Sequence, residues 1–153
     1  MNSIDQLRDL LDHEREHAQG PGSIKHYRDE WVAALQRLSA RCQEWLAPLG
    51  SRLTVTTAAR HQDRVLGDIA VDMPVMMTPS GVVVKMTPMG RFPVELGRVD
   101  LHAPSGYRLL TRVAADEWVI SPGRIPLDAD SFGDALLELL RDVRAMVNDE
   151  DPS

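Results

Sequence analysis

Hydrophobic and polar positions divide the chain into helical stretches at both ends and one long alternating run between them. From Ser3 to Ala18, Ile4, Leu7, Leu11 and Ala18 recur at helical spacing, and Ser3 with Gln6 supplies a capping box. Gly20-Pro21-Gly22 ends this stretch. Ser23 caps a second helix running to about Leu46, with Ile24, Tyr27, Trp31, Ala34, Leu35, Leu38, Cys42, Trp45 and Leu46 close to a heptad seam. That helix would be roughly 35 Å long. Its seam predicts a route to a homodimer through residues 23–46. Pro48 and Gly50 stop it.

Alternation begins near Arg52, where Leu53, Val55 and Thr57 interleave with Thr54 and Thr56. A second strand, from about Val65 to Met73, places Val65, Ile69, Val71 and Met73 on one face and Asp68 and Asp72 on the other. Gly67 weakens it or marks a bulge. Gly81 to Ser121 then reads as consecutive strands. Pro79-Ser80-Gly81 and Pro104-Ser105-Gly106 each predict a three-residue hairpin loop, with Gly in the left-handed position. In the second hairpin this sets Ala103 opposite Tyr107, Leu101 opposite Leu109 and Val99 opposite Thr111. A two-residue turn at Ala115-Asp116 sets Val113 opposite Trp118 and Thr111 opposite Ile120. Val99, Leu101, Tyr107, Leu109, Val113, Trp118 and Ile120 are then expected inward, and Arg98, Asp100, His102, Arg108 and Arg112 outward. A slip of one residue would put Leu101 opposite Arg108 and mix the faces, which burial should forbid.

The last helix opens with a capping box at Ser131 and Asp134, and Phe132, Leu136, Leu139, Leu140, Val143 and Met146/Val147 draw a wide apolar stripe. The acidic tail, residues 148–153, is expected to fray. The expected fold class is α+β: two N-terminal helices, an antiparallel meander of five to seven strands and a C-terminal amphipathic helix on one sheet face. Residues 1–153 read as a single domain, with 1–22 as a loosely attached first helix.

Charge narrows the partners. The net charge of −6 disfavours nucleic acid, which needs a concentrated basic surface. Residues 101–153 carry 5 basic and 10 acidic side chains against 6 and 5 in residues 51–100, so the alternating region is near neutral. Arg supplies all the basic residues except Lys25 and Lys85, which suggests a GC-rich, bacterial coding sequence. The single cysteine, Cys42, fits a reducing compartment. No signal-like segment or membrane-length apolar run is present, so a cytoplasmic location is expected and no membrane partner.

Candidate chemistry is sparse. His13-Glu14-Arg15-Glu16-His17 matches H-E-x-x-H, which on a helix can aim two imidazoles at zinc with the Glu as general base. With Gly20 it resembles the metzincin motif, but the third ligand position falls at Ser23 and the intervening residues are charged. His13, Glu14 and His17 therefore read as a decoy on a solvated helix face, and no metal is expected. Cys42 falls on an apolar face and reads as a core residue. Asp68 and Asp72 lie roughly 13 Å apart along a strand, too far for a carboxylate pair. No phosphate-binding, dinucleotide or C-x-x-C motif occurs, so no catalytic residue and no cofactor is assigned. The expected partner-binding set is Arg98, Asp100, His102, Arg108 and Arg112, an Arg-rich platform on the open sheet face.

In size, acidity and layout the chain resembles bacterial immunity proteins that neutralise cognate toxins. The resemblance implies a non-catalytic protein-binding module whose partner is another protein, and it assigns no residue. Type III secretion chaperones are similar in size and acidity, but they interrupt their strands with a helix, and none is predicted between Arg52 and Ser121. A small-ligand carrier with a Met- and Val-lined pocket, and a zinc hydrolase using His13, Glu14 and His17, are the alternatives from other classes.

Overall fold

The computed structural model describes residues 2–91 and 96–150. Among them, helices α1 (Ser3–His17) and α2 (Ile24–Leu46) lead through a 3-10 segment, Ala47–Arg52, into seven strands. These are β1 (Thr54–Asp63), β2 (Gly67–Met77), β3 (Val83–Gly90), β4 (Arg98–Ala103), β5 (Gly106–Ala114), β6 (Glu117–Ser121) and β7 (Ile125–Pro126), and α3 (Ala129–Glu150) follows. The strands form one antiparallel meander in sequence order, and the fold is α+β as expected.

Local chemistry sets the helix ends. Asn2, one residue earlier than the expected box, caps α1 by accepting the Asp5 N–H at 2.8 Å. Ser23 Oγ accepts from His26 N–H and caps α2. Asp128 and Ser131 cap α3 reciprocally, each backbone N–H donating to the other's side chain at 2.9 Å. This starts α3 before Ser131, so the expected Ser131/Asp134 pairing gives way to an earlier one. α3 continues through Glu150, and residues 151–153 of the acidic tail lie outside the described residues.

One sheet face carries the core. Trp31, Leu35, Leu38, Cys42 and Leu46 of α2 are buried with Ile69, Val71, Met73, Met76, Val84, Met86, Val99, Leu101, Leu110, Trp118 and Ile120 of the strands. Phe132, Leu139 and Val143 of α3 complete it, and the Trp45 and Phe132 rings, 5.6 Å apart, join the two helices. The seam of α2 is therefore packed inside the chain. Val65, expected inward in a strand, lies exposed in the turn between β1 and β2. Asp63 Oδ1 accepts the Val65 and Leu66 N–H groups there, which ends β1 and turns the chain.

The two Pro-Ser-Gly tripeptides make different turns. At the first, Thr78 N–H donates to Val82 O and Gly81 takes φ +92°, the expected three-residue loop. At the second, Ala103 pairs with Gly106, leaving a two-residue loop of Pro104 and Ser105. Ser105 Oγ donates to Leu139 O at 2.8 Å, tying this loop to α3. The expected register is therefore corrected by one residue: Val99 lies opposite Leu110, Leu101 opposite Arg108 and His102 opposite Tyr107. The Ala115-Asp116 turn is where expected, but an irregularity at Val113 sets Arg112 opposite Trp118 and Leu110 opposite Ile120. Burial did not forbid the slip, because the mixed face contains arginines with carboxylate partners.

Candidate interaction surfaces

The five platform residues divide between the two sides of the sheet. Arg98, Asp100 and His102 face the uncovered side, as expected. Arg108 and Arg112 do not; they share the helix side with Val99, Leu101 and Leu110. Arg108 sits at its rim, where Nη2 donates to Glu138 of α3 at 3.2 Å. Arg112 is inside, with 2% of its surface exposed.

Burying Arg112 requires a matched anion, and α2 provides it. Arg112 Nη1 donates to both oxygens of Glu30, at 2.6 and 3.0 Å, and Nε donates to Ala115 O at 2.9 Å. Arg91 Nε lies 3.6 Å from the same carboxylate, and its guanidinium lies 5.6 Å from the Tyr27 ring centroid. Arg91 N–H in turn donates to Asp63 Oδ2. The cluster ties the first half of α2 to the end of β1, to the residue after β3 and to β5, and its ion pairs suit a structural role.

The uncovered face mixes apolar with polar and charged positions. The register places Val75, Lys85, His102 and Tyr107 in one cross-strand row, and Thr87, Asp100, Leu109 and Ser121 in the next. A third row holds Arg98, Thr111, Val119 and Pro126. Met77 and Val83 close one end. Arg98 and Asp100, two apart on one strand, form a fork: Nε to Oδ1 at 2.8 Å and Nη2 to Oδ2 at 3.1 Å. The hydrogen bond to Asp100 raises the Arg98 pKa above the usual arginine value. This pairing cancels two of the few formal charges on the face. From β2 to β7 the rows span roughly 24 Å at about 4.8 Å per strand, with the apolar positions interrupted by Lys85, Thr87, Arg98, Asp100 and His102. Tyr107 and Leu109 belong to it, although the sequence reading assigned both to the core. The adjacent pair Leu109-Leu110 left the parity of β5 open.

The other candidates are placed as follows. His13 and His17 stack with ring centroids 4.1 Å apart, and His17 Nδ1 lies 2.8 Å from His13 O, a bond that fixes the ring along the helix. They border an open hollow with Glu14, Pro21 and Ile24. Among the described residues no group of three or more His, Cys, Asp or Glu side chains stands where it can hold a metal ion. Cys42 is buried, and desolvation pushes its thiol up to about 12. Between the end of α2, α3 and the β2–β3 corner lies an apolar cleft of about 360 Å³, lined by Trp45, Leu49, Leu53, Met76, Phe132 and Leu137 among others. No helix among the described residues is long and apolar enough to cross a membrane.

Comparison with protein-family models, with curated proteins and with solved structures returned no match.

Proposed function

We propose that this chain is a non-catalytic protein-binding module that receives another protein on the uncovered face of its sheet. The observation that carries the proposal is the composition of that face: Val75, Met77, Val83, Tyr107, Leu109 and Val119 stand on it beside Lys85, Arg98, Asp100 and His102. Apolar area with a polar fork and a tyrosine is the make-up of a docking surface.

Within that class, the immunity-type reading is the one we favour, on size, acidity and layout. The protein would be bacterial, act in the cytoplasm and neutralise a cognate toxin. The test begins with the gene's neighbours and ends in cells. A gene for a large secreted toxin directly alongside, and growth restored when the two are co-expressed, are the expected results. Growth arrest that co-expression leaves unrelieved contradicts the immunity reading.

A second reading, a carrier of a small apolar ligand, is favoured by the cleft beside Trp45 and Phe132, whose lining is almost wholly apolar. Native mass spectrometry of protein purified from its source decides it: a bound molecule lost in Met76→Glu supports the carrier, and an empty protein contradicts it.

A further inference from the structure

Two apolar surfaces on the helix side have no cover. The first is the stripe of α1, in which Ile4, Leu7, Leu10 and Leu11 are 47–66% exposed and no residue of the helix is buried. The second is a groove along α3. It starts as the cleft beside Phe132 and Leu137, passes Leu140 and Thr78, and continues as a hollow bordered by Val82, Val143, Arg144 and Val147. From Gly133 to Asn148 the groove follows α3 for roughly 22 Å, and a 15-residue helix such as α1 is about as long.

Within one chain the two do not meet. α1 joins the N-terminal end of α2, while the groove opens at its C-terminal end, about 35 Å away. The connector is folded short, with Gly20 N–H donating to His17 O and Ser23 N–H to Gly20 O. The surface within closer reach is the outer side of α2, where Lys25, Asp29, Gln36 and Arg37 are exposed and polar. A second copy presents what the first lacks. We propose that two chains associate about a twofold axis, the α1 of each lying apolar side down in the α3 groove of the other.

The groove lining holds one charged residue, the cation Arg144, against five carboxylates and two arginines on α1, with Asp134 and Arg141 flanking it on one stripe of α3. Reciprocal exchange closes after two chains, so it yields a dimer rather than a fibre. Two helix-in-groove contacts together bury roughly the 1,200–2,000 Å² of a stable interface. The exchange leaves the uncovered sheet face free, so it stands independently of the docking role proposed above.

The test is light scattering on the full chain during size exclusion, with three proteins: wild type, Leu7→Glu/Leu11→Glu in α1, and Leu137→Glu in the groove. Wild type is expected at twice the 17.0 kDa chain mass, and each variant at one chain mass with unchanged circular dichroism. Mixing the two variants at ~100 µM leaves one intact α1 facing one intact groove, and is expected to restore a heterodimer. A misfolded variant would not complement. Monomeric wild type, dimers that survive both sets of substitutions, or variants that fail to complement each other overturn the proposal.

Discussion

Arg112 of β5 and Glu30 of α2 meet at 2.6 Å in the interior, joining the strand most central to the meander's second half to the helix that covers it. The two residues are unequal in one respect: Arg112 is 2% exposed, whereas about a third of the Glu30 side chain reaches solvent. Removing the acid strands a buried cation, but removing the base leaves a carboxylate that water and Arg91 still reach. Glu30→Ala is therefore expected to cost about 3–5 kcal/mol, and Arg112→Met distinctly less. Urea unfolding of both variants checks the order; equal costs, or the reverse order, contradict it.

Gly97 explains how Trp31 is seated. The glycine takes φ +137°, and a Cβ built on it falls 2.3 Å from Trp31 Cζ3. Both strain and collision oppose a side chain here. Gly97→Ala is expected to lower stability by more than about 2 kcal/mol and to shift the tryptophan emission. Trp31→Leu relieves the collision but not the strain, so Gly97→Ala is expected to cost less in a Trp31→Leu background than in wild type, though still something. Thermal melts of the set measure this.

Cys42 carries a prediction in pH. Its folded pKa, about 12, lies above the ordinary thiol value of 9.0 because burial disfavours the thiolate. The folded chain thus holds this proton more tightly than the unfolded one. The stabilising term is complete below pH 9 and is lost as pH rises from 9 toward 12, at up to about 1.4 kcal/mol per unit. Wild type is expected to lose stability over that range faster than Cys42→Ala. Parallel curves for the two proteins sink the idea, as does rapid labelling of the native thiol at neutral pH.

The Arg98–Asp100 fork lies on the open face and is partly exposed. Asp100→Asn is expected to cost under about 1 kcal/mol and to become less costly in high salt. Its larger consequence is electrostatic, since it leaves the Arg98 cation uncompensated amid Leu109 and Thr111. Urea unfolding at two salt concentrations checks the first point, and a loss of several kcal/mol contradicts it.

Much of the architecture was legible because its signals are local. The breaks at Gly20-Pro21-Gly22 and Pro48, the cap at Ser23 and the alternation through β2 needed no partner to be read. The faces of β5 were not legible in this way. Leu109-Leu110 satisfies either parity, and the deciding fact is a carboxylate 82 residues away that lets Arg112 go inside. The same tripeptide, Pro-Ser-Gly, gave two turns because only the second is held by the bond from Ser105 to α3. On the uncovered face, Arg98, Asp100 and His102 stand where the sequence placed them, while Tyr107 and Leu109 stand there in place of Arg108 and Arg112. That α1 would find no cover was foreshadowed only by the Gly20-Pro21-Gly22 break behind it.

The proposed docking of a protein on the uncovered sheet face is tested by affinity capture from the source cells, run side by side with wild type, Leu109→Arg and Leu137→Glu. The expected result is one stoichiometric partner retained by wild type and by the groove variant Leu137→Glu, and lost with Leu109→Arg, whose side chain projects from the middle of the face. A partner captured equally by all three, or no specific partner at all, contradicts it.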